Sequence, residues 1–164
     1  MGYPRKSKRE DQRSQPLLTT KLYVPSPRPD WVSRPRLLEY LDEALPDPAG
    51  TSGRKLVLVS APAGYGKTTL LAEWLEGIQC PVAWLSLDEG DDDASRFLAY
   101  LTAALESIPQ FPPSLGPDDS EASGEAQLAA LLNRASRLSE PVILVLDDFH
   151  RVTASTVVEY VGHL

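Results

Sequence analysis

Apolar positions along the 164-residue chain switch between two periods, and the switches lay out a succession of helices and strands. In VSRPRLLEYLDEAL, residues Leu37, Leu38, Leu41 and Leu45 share one helical face. Pro35 suits the first turn of that helix and Ser33 is its expected cap. The polar stretch PDPAGTSGR (46–54) ends it as a loop. KLVLVS (55–60) is continuously apolar from Leu56 to Val59, which predicts a strand buried on both faces. TTLLAEWLEG behind it predicts a helix with Leu70, Leu71, Trp74 and Leu75 turned inward and Gly77 as its stop. VAWLSL (82–87) is a second strand, with Trp84 in its packing, so the order is that of a βαβ unit. Phe97, Leu98, Leu101, Leu105 and Ile108 mark a helix capped by Asp92 or Asp93, and Leu128, Leu131, Leu132, Ala135 and Leu138 mark another. PVILVLDDFH (141–150) is a third strand, apolar until two carboxylates at its C-terminal end, and ASTVVEYVGHL begins a last helix.

Outside these runs, residues 1–16 carry almost nothing to bury and are expected to be a disordered basic leader. Residues 17–30 alternate apolar anchors with prolines and are expected to lie extended on the domain surface. Charge is uneven. Residues 1–36 hold nine Lys or Arg against three Asp or Glu, and the rest seven against twenty, so a basic arm precedes an acidic body that would repel a polyanion. Direct nucleic-acid contact by this chain is therefore not expected. Cys80 is the only cysteine, which excludes a disulfide framework and a Cys-rich zinc site. No apolar run approaches 18 residues and no apolar stretch follows the basic leader, so neither a membrane span nor a secretory signal is expected and the location is read as cytoplasmic.

The chemistry concentrates in SAPAGYGKTTL, residues 60–70. A buried strand running into Gly64, Gly66, Lys67 and Thr68, with a helix directly behind, has the design of a phosphate cradle. Small residues let successive backbone N–H groups converge on a phosphate, and the helix N-terminus adds positive potential. Lys67 can reach the β- and γ-phosphates and the Thr68 hydroxyl can take a magnesium position. The strict Walker A pattern has glycine where this chain has Ala61. The competing reading is a glycine turn with an incidental lysine. At the second site, Asp147 is suited to hold Mg²⁺ and Asp148 to orient or deprotonate the attacking water; a solvated strand end is the alternative for both. DEGDDD (88–93) lacks the ligand spacing of a calcium loop and reads as capping and solvation. His150 reads as a turn residue and Cys80 as packing.

TTKLYVPSPRPDWVSRPRLLEYLDEAL, LVLVSAPAGYGKTTLLAEWL, VAWLSLDEGDDDASRFLAYLTAAL and VILVLDDFHRV, in this order, resemble the start of the NTPase domain of MalT-like, LuxR-type ATP-dependent regulators of the STAND class of P-loop NTPases. The likeness covers residues 17–164. It implies an α/β P-loop fold, a three-layer αβα sandwich with strand order 2-3-1-4-5, of which this chain carries the first three core strands and stops before strands 4 and 5. It implies ATP or ADP with Mg²⁺ as ligands. Val32 and Arg34 would lie on the adenine and phosphate side, and Ala61, Gly64, Tyr65, Gly66, Lys67, Thr68 and Thr69 would form the nucleotide loop. Thr68 and Asp147 would hold the metal, with Lys67 and Asp148 serving hydrolysis. In such switches ATP favours a self-associating active state and ADP a resting one, and DNA is bound by a C-terminal domain that this chain lacks. The family's sensing arginine would fall beyond Leu164, so little hydrolysis is expected of this portion, read as a truncation, and the 55–60 strand would be an unpaired edge. The alternatives are a small P-loop kinase, which should carry an Arg-rich lid, and a regulatory fragment without useful ATP affinity.

Overall fold

The computed structural model describes residues 17–26, 31–45, 56–114 and 122–164; the expected leader over 1–16 and the loop over 46–54 fall outside them. Within these residues the chain forms a predominantly helical domain around a small parallel sheet. Helix α1 spans Pro35–Asp42, α2 Lys67–Glu76, strand β1 Val82–Ser86, α3 Ala94–Glu106, α4 Gly124–Ala135, strand β2 Ile143–Asp147 and α5 Ser155–Gly162. The two strands pair in parallel, from Val82 opposite Ile143 to Ser86 opposite Asp147. Parallel neighbours need a crossover, supplied here by α3, α4 and their connections.

Side chains of β1 alternate between two apolar clusters, as the period of a strand requires. Ala83, Leu85 and Leu87 pack with Phe97, Leu98 and Leu101 of α3, Leu128 and Leu131 of α4, and Val157 and Tyr160 of α5. Trp84, on the opposite face, packs with Leu75 of α2 and Val145 of β2, and its indole N–H donates to Ser86 Oγ at 2.8 Å. The sheet therefore has α2 on one face and α3, α4 and α5 on the other. Helix α1 is joined to α2 through Trp74 Nε1, which donates to Asp42 Oδ1 at 2.8 Å. No helix among the described residues is long and apolar enough to cross a membrane.

The first of the three expected strands, 55–60, is not part of the sheet. Residues 56–60 form no ladder with β2, and Leu56 and Leu58 are 78% and 81% exposed. A continuous apolar run becomes a doubly buried strand only if it has a partner edge and neighbours over both faces. Here a cleft of about 1070 Å³ is bounded by Leu56–Ala63 on one side and Val142–Asp148 on the other.

Helix ends depart from expectation in instructive ways. Pro35 opens α1, but the capping position is Arg34, not Ser33, and no side chain caps it. Ser123 caps α4 five residues before its first buried leucine, Leu128. Asp93, the second of the two expected candidates, caps α3 by accepting from Arg96 N–H at 2.8 Å. Asp92 does something else: its carboxylate accepts from Thr153 N–H (2.6 Å), Ala154 N–H (2.8 Å) and Thr153 Oγ1 (2.9 Å), tying the turn after β1 to the start of α5. The N–H groups of Ala154 and Thr153, then the Thr153 hydroxyl, hold the Asp92 carboxyl below the usual range. A depressed folded-state value means that this contribution is complete above the ordinary carboxylate range and lost as pH falls through the folded value. Urea midpoints of wild type and Asp92→Asn should therefore differ at pH 7 and converge towards pH 3. A gap independent of pH would show that the carboxylate charge is immaterial.

Candidate functional site

The loop from Ala61 to Gly66 reverses the chain before α2. Gly64 and Gly66 adopt φ values of 81° and 77°, a left-handed conformation that strains any residue with a Cβ, and Ala61 is not among the residues with positive φ. Leu70 N–H is the first to reach a helical acceptor, Gly66 O at 2.9 Å. The N–H groups of Lys67, Thr68 and Thr69 before it have no intrahelical partner, and no side chain caps this end. They supply donors and the positive end of the helix dipole beside the glycines.

Lys67 lies along the loop, its ammonium donating to Ala61 O at 2.8 Å and Pro62 O at 3.3 Å. The Thr68 hydroxyl crosses to β2, where it donates to Asp147 Oδ2 at 2.9 Å and contacts Oδ1 at 3.1 Å. Asp147 is buried, and its Oδ1 also accepts from Asp148 N–H at 3.0 Å. The first turn of α2 and the C-terminal end of β2 are thus brought together from positions 79 residues apart. Asp148 follows at φ 57°, the only described residue other than glycine with positive φ. Aspartate tolerates this region better than most residues, at a cost on the order of 1 kcal/mol. Its carboxylate lies 3.7 Å from Arg151 Nε and 3.8 Å from His150 Nδ1, both in the 3₁₀ turn Phe149–Arg151. His150 is therefore a turn residue beside Asp148.

The segment before α1 forms a second wall. Arg34 Nη1 donates to Tyr65 O at 2.9 Å, bringing its guanidinium beside Gly66. Val32 is 81% exposed and, with Arg34, borders a smaller cleft of about 430 Å³ that also takes in Gly64, Tyr65, Thr68 and Thr69. Pro25, Ser26, Trp31 and Glu73 also line it and were not legible as site residues, because nothing in their types marks them. The loop separates this cleft from the larger one, which Lys67, Asp147, Asp148 and His150 border. The smaller cleft brings Arg34 together with Gly64, Gly66, Thr68 and Thr69. The larger cleft is mostly apolar beyond its loop end.

Among the described residues no three or more His, Cys, Asp or Glu side chains cluster as a metal site. The Thr68 hydroxyl and Asp147 carboxylate are nonetheless hard oxygen donors in contact, the chemistry magnesium takes when ligand phosphates and water complete its shell. Cys80 is half-buried at the far end of the larger cleft, and burial raises its thiol pKa, only partly offset by a backbone hydrogen bond, so it is a poor nucleophile. The acidic turn corrects a sequence expectation. Asp88 and Asp93 cap, but Asp91 is fully buried and paired with Lys21, so solvation does not account for it.

A family model described as AAA ATPase domain matches residues 30–159. The chain is 37% identical over 147 residues to the HTH-type transcriptional regulator MalT of Serratia proteamaculans (strain 568), covering 87% of this chain and 15% of that protein. It is 35% identical over 132 residues to the protein of the same name from Cronobacter sakazakii (strain ATCC BAA-894), covering 76% and 14%. The Yersinia enterocolitica counterpart gives 35% over 147 residues, covering 87% and 15%. The chain thus spans about 15% of the length of these curated relatives. No solved structure matches it.

Proposed function

Because the chain belongs to the AAA ATPase domain family, we propose that it is the nucleotide-binding portion of a nucleotide-switched transcriptional regulator of the MalT-like, STAND class. The observation that carries this reading is the Thr68–Asp147 hydrogen bond, which joins a glycine loop at a helix N-terminus to a buried strand-end carboxylate. Domain boundaries of 17–164, ATP or ADP as ligand and a three-layer parent fold belong to the same proposal, supported by helices on both faces of the sheet.

In this reading the base and ribose occupy the smaller cleft against Val32 and Arg34. The phosphates lie over Gly64, Gly66 and the N–H groups of Lys67, Thr68 and Thr69. Lys67 exchanges the carbonyls of Ala61 and Pro62 for phosphate oxygens, which needs only side-chain rotation. Thr68 and Asp147 hold Mg²⁺, which when bound neutralises phosphate charge. Asp148, half-exposed beside Asp147, accepts a proton from water or orients it. Regulation of transcription and self-association would belong to the longer protein, and the acidic balance of residues 37–164 disfavours contact of this portion with DNA.

Asp147→Asn tests the metal assignment. It preserves shape and the acceptor for Thr68 but loses the charge that holds a hydrated cation. Affinity for ATP should fall about tenfold in magnesium and change much less in EDTA. Titration under both conditions measures this; an equal loss in each would assign Asp147 a purely structural part.

A further inference from the structure

The short 3₁₀ turn Thr19–Leu22 holds a buried lysine that the nucleotide reading leaves unused. Lys21 is 7% exposed and its ammonium donates to Asp88 Oδ2 at 3.2 Å and to Asp91 Oδ2. Asp91 is fully buried, and the same Oδ2 accepts from Asp88 N–H at 2.7 Å. Its Oδ1 lies 3.2 Å from Arg96 Nε, an ion-pair contact whose geometry does not make a hydrogen bond. Lys21 also stands 4.3 Å from the centroid of the Tyr100 ring, and Leu18 N–H donates to Tyr100 Oη at 3.0 Å. The alternation of apolar anchors and prolines predicts a plain extended surface segment here. Instead one lysine is drawn into a pocket whose acids lie 67 and 70 positions away.

Four residues further on, Pro25 and Ser26 border the smaller cleft together with Gly64 and Tyr65. Four extended residues reach about 14 Å at most, so the position of Lys21 limits where this wall can lie. Among the described residues, Tyr23–Ser26 make no hydrogen bond or ion pair, so the polar hold on this part of the arm is the knot at Lys21 and Leu18. Downstream, the arm is held by Arg34 on Tyr65 O. A buried ion pair of this kind fixes geometry more dependably than it adds stability, since a well-packed apolar pair would serve stability equally.

We infer that Lys21 is a positioning residue for the nucleotide site: its burial against Asp91, Asp88 and Tyr100 docks the arm that walls the cleft, and so sets nucleotide affinity without touching the nucleotide. This rests on the nucleotide reading above. If the neutral variant docks the arm only about a tenth of the time, apparent affinity falls about tenfold.

The test titrates Mg-ATP into the full chain as wild type, Lys21→Met and the pair Lys21→Met with Asp91→Asn. The pair removes both charges, so that no uncompensated ion stays buried if the single variant folds poorly. Leu131→Ala, a core truncation in α4, serves as a variant of comparable instability. Amide exchange at Leu18 and at position 21, whose N–H groups donate to Tyr100 Oη and Leu18 O, reads the arm directly without nucleotide. The expected result is about tenfold weaker binding and faster exchange at Leu18 and position 21 in both Lys21 variants. Leu131→Ala should keep wild-type affinity and wild-type exchange in the arm. Undiminished affinity in folded Lys21 variants, or an equal loss in Leu131→Ala, would overturn the inference while leaving the nucleotide reading intact. Wild-type chain that binds no Mg-ATP would overturn that reading and this inference with it.

Discussion

Lys67→Ala is expected to lower affinity for Mg-ATP by about a hundredfold, on the order of 3 kcal/mol, the upper range for hydrogen bonds to a charged group. The effect is large because the ammonium would pair directly with phosphate charge, and charge-assisted hydrogen bonds are about twice as strong as neutral ones. In the free chain its partners are only two loop carbonyls, which water can replace, so the variant should stay folded. Calorimetric titration of both proteins, with urea curves confirming equal folding, gives the comparison. Equal affinities would remove Lys67 from the site.

Phe97→Ala is expected to cost about 3–5 kcal/mol of folding stability. Phe97 is fully buried in the larger cluster, which gathers side chains from β1, α3, α4 and α5. The surrounding helices can collapse only partly onto the lost ring, so a cavity adds to the lost transfer energy. Against a total of about 5–15 kcal/mol for a domain, this leaves the chain marginal. Urea unfolding should show a much lower midpoint with an unchanged slope. A loss below about 1 kcal/mol would mean that this cluster is not the core that holds the sheet.

Much of the loop's geometry was legible because its parts are local. Two glycines, a lysine and a threonine between an apolar run and a helix dictate a loop with left-handed turns, and Gly64 and Gly66 adopt them. The pairing of 82–86 with 143–147 also follows from apolar runs joined by helical crossovers. What was not legible depends on distant partners. Nothing near Asp91 distinguishes it from Asp92 or Asp93, and only Lys21, from the far end of the chain, takes it out of water. The 55–60 run shows the converse. Its residues suit a buried strand, but hydrogen bonding to an edge and cover on both faces are properties of neighbours, and the free edge of β2 does not meet it. Ser33 was a plausible cap by type, yet Pro35 opens the helix one residue too late for that position.

The phosphates of a bound nucleotide should lie on the loop from Gly64 to Thr69 and reach towards Asp147. Chemical-shift mapping of backbone amides in the ¹⁵N-labelled chain on adding Mg-ADP tests this most directly. Saturable shifts should be largest at Gly64, Gly66, Lys67, Thr68 and Thr69, with smaller ones at Arg34, Asp147 and Asp148. Shifts absent from the loop, or centred on the apolar part of the larger cleft around Leu56 and Ile78, would contradict it.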